Sequence, residues 1–444
     1  MKRIYSVILC SIGLCNVYGQ CYTLQQLKDS ALHNNYAMRS AQYAVDAAQE
    51  QRKEAFTKFF PSVSGTGMWF NANRDMAKTT VNMSEYISAD AGAALAQSLP
   101  AEALAAMGEP VSVSMMKNGI VGAVTAVQPV FVGGQLVNGN RLARVGEEVS
   151  RLQYQLSENE VGATAERYFW QLVSLQEKMK TVDAVQQMLN GVAKDADVAV
   201  RAGVAVRNDL MQVQLRQNEV ESQKVELQNA LSLLRLSIAQ YCGLADTSFS
   251  VSVPAGSDGL PERQDHRQAL YATAEYQLLD KQVEAAELQR RTTVGQNLPS
   301  VAVGAGYTYH DLLDDGRSFG LVFATVSVPL SDWWGGSHAI RRKKIEAQRA
   351  QEQLADNSEL LQLRMQRAWN NVESALQHLD IARRSIEQAE ENLRLNRDYY
   401  RAGTSTMSDL LQAQLLYQQA CDKRSDAQSN YFLSLSEYNR SVGR

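Results

Sequence analysis

RAGVAVRNDLMQVQ at Arg201–Gln214 returns 200 residues later as RAGTSTMSDLLQAQ at Arg401–Gln414. A repeat at that offset in a 444-residue chain means that one structural plan is written twice. Outward from this pair, Pro129 matches Pro329 at offset 200, and Gly133-Gly134 matches Gly335-Gly336 at offset 202. Further upstream the offset is 238: VDAA at Val45–Ala48 answers VEAA at Val283–Ala286, and Pro61-Ser62-Val63 answers Pro299-Ser300-Val301. The difference, 238 − 200 = 38, assigns about 38 extra residues to the first copy, within the polar, Ala- and Ser-rich stretch Asn71–Gly119. That stretch reads as a long loop at one end of the molecule. The organisation expected is a first repeat over 20–250 with its insertion at about 71–119, a linker over 251–262, and a second repeat over 263–444.

Each copy has the order helix, strand, strand, very long helix, turn, helix. In the second copy Leu361, Met365, Ala368, Val372, Ala375, Leu379, Ala382, Ile386, Ala389, Leu393, Asn396 and Tyr400 keep strict 4-3 spacing. All but Asn396 carry an apolar body, which is the seam of a coiled coil rather than the broader stripe of a globular helix. The first copy repeats the seam in register from Ala165 through Leu172, Val182 and Leu189 to Val200. From Gly336 to Tyr400 no proline interrupts the pattern, so this helix is expected to run roughly 95 Å at 1.5 Å per residue. A stalk, a scaffold or a tunnel wall would each use such a helix. Gly203 and Gly403 end the long helices, as a residue free to turn left-handed does. Asp209 and Asp409 open the returning helices, where a carboxylate complements the helix dipole.

Four segments have strand character: Ser62–Phe70, Ile120–Gln128, Ser300–Tyr309 and Phe319–Val328. Val301, Val303, Ala305, Tyr307 and Tyr309 alternate with the smaller Ala302, Gly304, Gly306 and Thr308, and Phe319, Leu321 and Phe323 alternate with Gly320, Val322 and Ala324. Such alternation over about ten residues suits a tilted strand of a membrane barrel. It also suits a small soluble sheet packed on a helix, which would make the chain a secreted coiled-coil scaffold or adaptor. Trp69, Phe70, Phe131, Trp333 and Trp334 at the strand margins fit a membrane interface. Four strands cannot close a barrel, for which about eight are the practical minimum. If they span a membrane, several copies must share one barrel.

Lys2 and Arg3 followed by the apolar run Ile4–Val17 and the small Gly19 read as a secretory signal over 1–19, cleaved before Gln20 or Cys21. The residues before Cys15 and Cys21 fit a lipoprotein box poorly. No later segment approaches the roughly 18 apolar residues of a membrane helix. The net charge of −4 and the one basic run, Arg341–Lys344, exclude the basic face that nucleic-acid binding needs. Cys21, Cys242 and Cys421 lie far apart, and His33, His266, His310, His338 and His378 are isolated, so neither a disulfide scaffold nor a metal site is expected. No phosphate-binding loop or nucleophile elbow occurs, and neither an enzyme nor a cofactor is expected.

The doubled order, the proline-opened strands, the Gly-Gly before each long helix and the paired Gly-x5-Asp-Leu strings resemble the TolC-type outer-membrane factors, across essentially the whole mature chain. The resemblance implies a mainly α fold with a small transmembrane β portion. Three copies would form a twelve-stranded barrel in outer-membrane lipid, continuing into an α-helical periplasmic tunnel. It implies a homotrimer that docks a periplasmic adaptor (membrane fusion) protein and an inner-membrane transporter, a proton-driven efflux pump, and carries small molecules outward. It further implies that the turns at Gly203 and Gly403 form the periplasmic entrance. Asp409 then matches an aspartate of a constriction ring, and Tyr400 and Asp209 match a contact that locks neighbouring coiled coils. Gln412 stands where the family's archetype has a second aspartate, and Ser405 where it has an arginine, so this gate departs from the pattern at two positions.

Overall fold

The computed structural model describes residues 21–74, 77–81, 100, 111–115, 118–252, 259–311, 316–330 and 332–444. The expected signal and its cleavage point lie outside these residues. In the first copy, β1 (Cys21–Tyr22) leads into α1 (Leu24–Asn34), α2 (Tyr36–Thr57), β2 (Ser62–Asn71), β3 (Ala77–Val81), β4 (Val111–Met115), β5 (Asn118–Val132), α3 (Gln135–Arg201) and α4 (Arg207–Cys242). After β6 (Ser250–Val251), the second copy runs α5 (His266–Ala272), α6 (Ala274–Gln296), β7 (Ser300–Asp311), β8 (Arg317–Ser327), α7 (Asp332–Arg401) and α8 (Met407–Ser441). The long helices reach 67 and 70 residues. Such lengths are held by side-chain packing along a seam rather than by propensity alone.

Two details differ from the expectation. The 71–119 insertion is not all loop, because β3 and β4 pair antiparallel within it, from Ala77↔Met115 to Val81↔Val111. Five-residue strands are too short for alternation to stand out from a polar background. The two Gly-Gly pairs also differ from each other. Gly133 and Gly134 precede α3 with φ of 62° and 75°, whereas Gly335 and Gly336 lie inside the first turns of α7 without positive φ.

The chain folds as two compact units, each drawing on both copies. One holds the described residues up to Gln49, Val145–Glu284 and Arg349–Arg444; the other holds Glu50–Arg144 and Ala285–Gln348. In the first, the seams make the core. Met365, Val372 and Leu379 of α7 are buried with Tyr431 and Tyr438 of α8. In α3, Phe169, Trp170 and Leu172 pack with Leu27 and Ala31 of α1 and Ile238 of α4, and Trp170 stacks on Phe432 at 4.2 Å. The seam is covered from Leu361 to Ala382 and only half-covered from Ile386 to Tyr400. Cys21, Cys242 and Cys421 are free thiols.

In the second unit the sheet has the order β2-β5-β7-β8, antiparallel throughout, with β2 and β8 as its edges. Directly paired residues share a face. Tyr307 pairs with Val124 and Gly320, Ala305 with Ala126 and Val322, and Val303 with Ala324. With Val63 and Trp69 of β2, which fall on the same side through Ala126 and Ile120, this face is apolar across its middle, with Asp311 and Gln128 at its two ends. It is also open, with Val322 86% exposed and Tyr307 60%. The other face carries Ser64, Thr66, Thr125 and Thr308, with Ser64 and Thr125 hydroxyls 3.1 Å apart.

The register also decides which way β8 faces. Phe319, Leu321 and Phe323 pair with Thr308, Gly306 and Gly304, so they lie on the mixed, partly polar face and not beside the tyrosines of β7. Phe323 sits directly over Gly304, where a Cβ would come within 2.3 Å of its ring. Only glycine lets the aromatic lie flat on the strand.

Candidate functional site

The two repeated turns are built alike. Gly203 and Gly403 adopt φ of 75° and 72°, a conformation that costs an L side chain roughly 1–2 kcal/mol. The Gly203 N–H donates to Val200 O at 3.1 Å and Val204 N–H to Ala199 O at 3.0 Å; the Gly403 N–H donates to Tyr400 O at 3.0 Å and Thr404 N–H to Tyr399 O at 2.9 Å. These bonds close the last carbonyls of α3 and α7.

Beyond the turns the copies diverge. Thr406 caps α8, its hydroxyl accepting from the Asp409 N–H at 3.2 Å. The Asp409 carboxylate accepts in return from Thr406 N–H at 3.1 Å, Thr406 Oγ1–H at 2.6 Å and Ser405 Oγ–H at 3.3 Å. These bonds, those of Thr406 foremost, hold its pKa below the usual aspartate range. Asp409 is therefore exposed but tied to its own helix start. In the first copy Val206 stands at the cap with no side-chain bond, which leaves the Asp209 carboxylate free of that duty. Gln412 is exposed one turn further along α8.

Tyr400 and Asp209 line one cavity of about 770 Å³ between the two turns, together with Asp195, Arg397, Arg401 and Thr406. Met407 and Leu410 give it an apolar lining, and with Ala196 and Val213 they form a small core on which Tyr400 packs. Burial foremost, then the charges of Asp209 and Asp195, raises the Tyr400 pKa, so the phenol keeps its proton and remains a donor. Among the hydrogen bonds of the described residues none joins Tyr400 to Asp209; the two face a common space. Asp195 and Arg397 lie off the 4-3 seam, and nothing in their spacing singled them out.

Seven residues beyond Asp209, the nearly buried Arg216 of α4 joins α8. Its Nε–H donates to Gln414 Oε1 at 3.0 Å, and one Nη to Gln418 Oε1 at 2.7 Å. The other Nη meets Glu219 of its own helix at 2.8 Å. Gln418 donates in turn to Gln223 of α4 at 2.8 Å. The returning helices carry no strict seam in the sequence, so the burial of this arginine was not legible there.

The site thus consists of two hairpins that end in left-handed turns, and the sheet of the other unit has two open edges and one largely apolar face. Residues 267–443 match the family model described as outer membrane efflux protein, which spans the second repeat almost end to end. Among solved structures, VceC of Vibrio cholerae, an outer membrane protein, superposes with a TM-score of 0.74 at 15% identity, over 95% of this chain and 96% of that one. The CmeC outer membrane channel of Campylobacter jejuni gives 0.74 at 14%, over 95% and 85%. The MtrE outer membrane channel of Neisseria gonorrhoeae gives 0.72 at 14%, over 95% and 88%. No curated protein matches the chain by sequence. Residues 267–443 thus match the outer membrane efflux protein family by sequence, and the whole chain shares the fold of these solved structures.

Proposed function

We propose that the chain is one third of a trimeric export duct of the outer membrane. Three four-stranded sheets make a twelve-stranded barrel, and the long helices make a periplasmic tunnel that passes small molecules outward without chemistry of its own. The observation that carries this reading is the sheet: β2 and β8 leave their edges unpaired, and its apolar face is open. In lipid an unpaired edge is too costly to persist, so copies must pair β8 of one with β2 of the next. The half-covered seam from Ile386 to Tyr400 supports it, because neighbouring helices would complete that packing. The duct takes its cargo from a periplasmic adaptor and an inner-membrane transporter, since a passive conduit supplies no driving force. Removal of residues 1–19 precedes assembly, leaving an unlipidated N-terminus at Gln20.

Native mass measurement of the detergent-solubilised protein tests the assembly. Three chains are expected, recovered from the outer-membrane fraction. A monomer that stays stable and soluble without detergent would instead favour the secreted scaffold.

A further inference from the structure

We propose that Arg216, with Gln414 and Gln418, is a register latch that holds the two hairpins of one protomer together above the turns and thereby sets how readily the duct opens. This rests on the channel reading and adds a positioning group to its gate. The guanidinium side chain is only 9% exposed, and its one carboxylate partner, Glu219, sits on the same helix and is 62% exposed. Its bonds to the other hairpin go to two neutral carboxamides one turn apart on α8. A buried guanidinium is tolerated only where its donors are satisfied. Here the planar fork spans Gln414 and Gln418, and Gln418 closes the ring back to Gln223, seven residues along α4. The ring therefore fits one axial alignment of α4 against α8.

Apolar contacts alone would not enforce that alignment. The Ala196, Val213, Met407 and Leu410 cluster just below accepts a small slide at little cost, since side chains of this kind repack. Arg216 cannot slide without stranding charged donors away from water. Any motion that parts the hairpin ending at Gly203 from the one ending at Gly403 must first break this ring. The second copy offers no substitute, because Leu416 stands where the repeat would place a second arginine.

Two substitutions of opposite sense test the latch in single-channel recordings from planar bilayers. Arg216→Met keeps the length and apolar stem of the side chain but removes the fork. It is expected to raise the open fraction by on the order of tenfold, the scale of one charge-assisted bond. Gln418→Glu gives the fork a carboxylate across the helix pair and is expected to lower the open fraction below that of the unsubstituted protein. A purely structural role would not move the two variants in opposite directions. Native mass and far-UV circular dichroism on the same samples establish that each remains a folded trimer. If Arg216→Met fails to assemble, the lowered open fraction of Gln418→Glu alone decides. Open fractions that are unchanged, or that shift the same way in both variants, overturn the latch. Absence of conductance in the unsubstituted protein would overturn the channel reading instead.

Discussion

Tyr400 stands where the other copy has Val200, so a hydroxyl replaces an aliphatic at the last seam position before the turn. Its raised pKa keeps that hydroxyl a donor through neutral pH, and Asp209 lies across the same cavity. A phenol–carboxylate bond between copies would contribute about 1.5–3 kcal/mol where water is excluded. Tyr400→Phe combined with Asp209→Ala is therefore expected to raise the open fraction by about tenfold or more while the trimer persists. Equal conductance of the double variant and the parent would leave Asp209 as a helix-start residue only. Asp409 has two duties to separate. Three convergent copies would concentrate cations, so Asp409→Ala is expected to weaken cation preference, read as a shift in reversal potential. Its capping role is tested by Thr406→Val, expected to destabilise the start of α8 by about 1 kcal/mol while leaving ion preference alone. The pH sense follows from the lowered pKa. The cap contributes fully above the ordinary aspartate value and is lost as pH falls through the depressed one. Protection against hydrogen exchange at the start of α8, taken relative to the intrinsic rate at each pH, should fall as pH drops from neutral through the depressed value, and Asp409→Asn should show no such change.

At the scale of elements, the sheet makes the sharpest claim. One face runs from Val63 and Trp69 through Val124, Ala305 and Tyr307 to Val322, with Asp311 at its end opposite Ile120, whereas the opposite face mixes hydroxyls with Phe319, Leu321 and Phe323. If the first meets lipid, an arginine there costs roughly 2–4 kcal/mol at the bilayer midplane, while one on the lumen side is tolerated. Val322→Arg should abolish recovery of folded trimer from the outer membrane, and Thr66→Arg should not. Equal yields from the two variants would mean that the faces have been assigned the wrong way round. The long helices are less sensitive to single changes, because their seams distribute packing over many positions. The exceptions are Gly203 and Gly403. Alanine at either has open space for its methyl and pays only the left-handed backbone.

For the whole molecule, the two compact units cut across the two repeats, so neither copy is a domain by itself. Each unit combines segments of the first copy with their counterparts from the second, as expected of a chain whose duplicated plan contributes similar parts to a common wall. N-terminal sequencing of the outer-membrane fraction should begin at or next to Gln20, without lipid. A chain retaining Lys2 and Arg3 there would contradict the export route.

The sequence alone determined whatever is periodic or local. The 200-residue offset revealed the duplication, 4-3 spacing the long helices, Gly203 and Gly403 the turns, and the prolines the strand starts, because each is a property of neighbours along the chain. Three features depended on the tertiary structure. Which way β8 faces follows from its register with β7: alternation says that Phe319, Leu321 and Phe323 share a side, but only pairing with Gly304 and Gly306 says which. That Asp409 turns back on its cap while Asp209 does not was visible only in the folded turns, where Val206 against Thr406, three positions before each, separated two aspartates that the repeat presents as equals. The burial of Arg216 came from the packing of α4 on α8, helices 200 residues apart in sequence, where no local pattern distinguishes a solvated arginine from one enclosed by two glutamines.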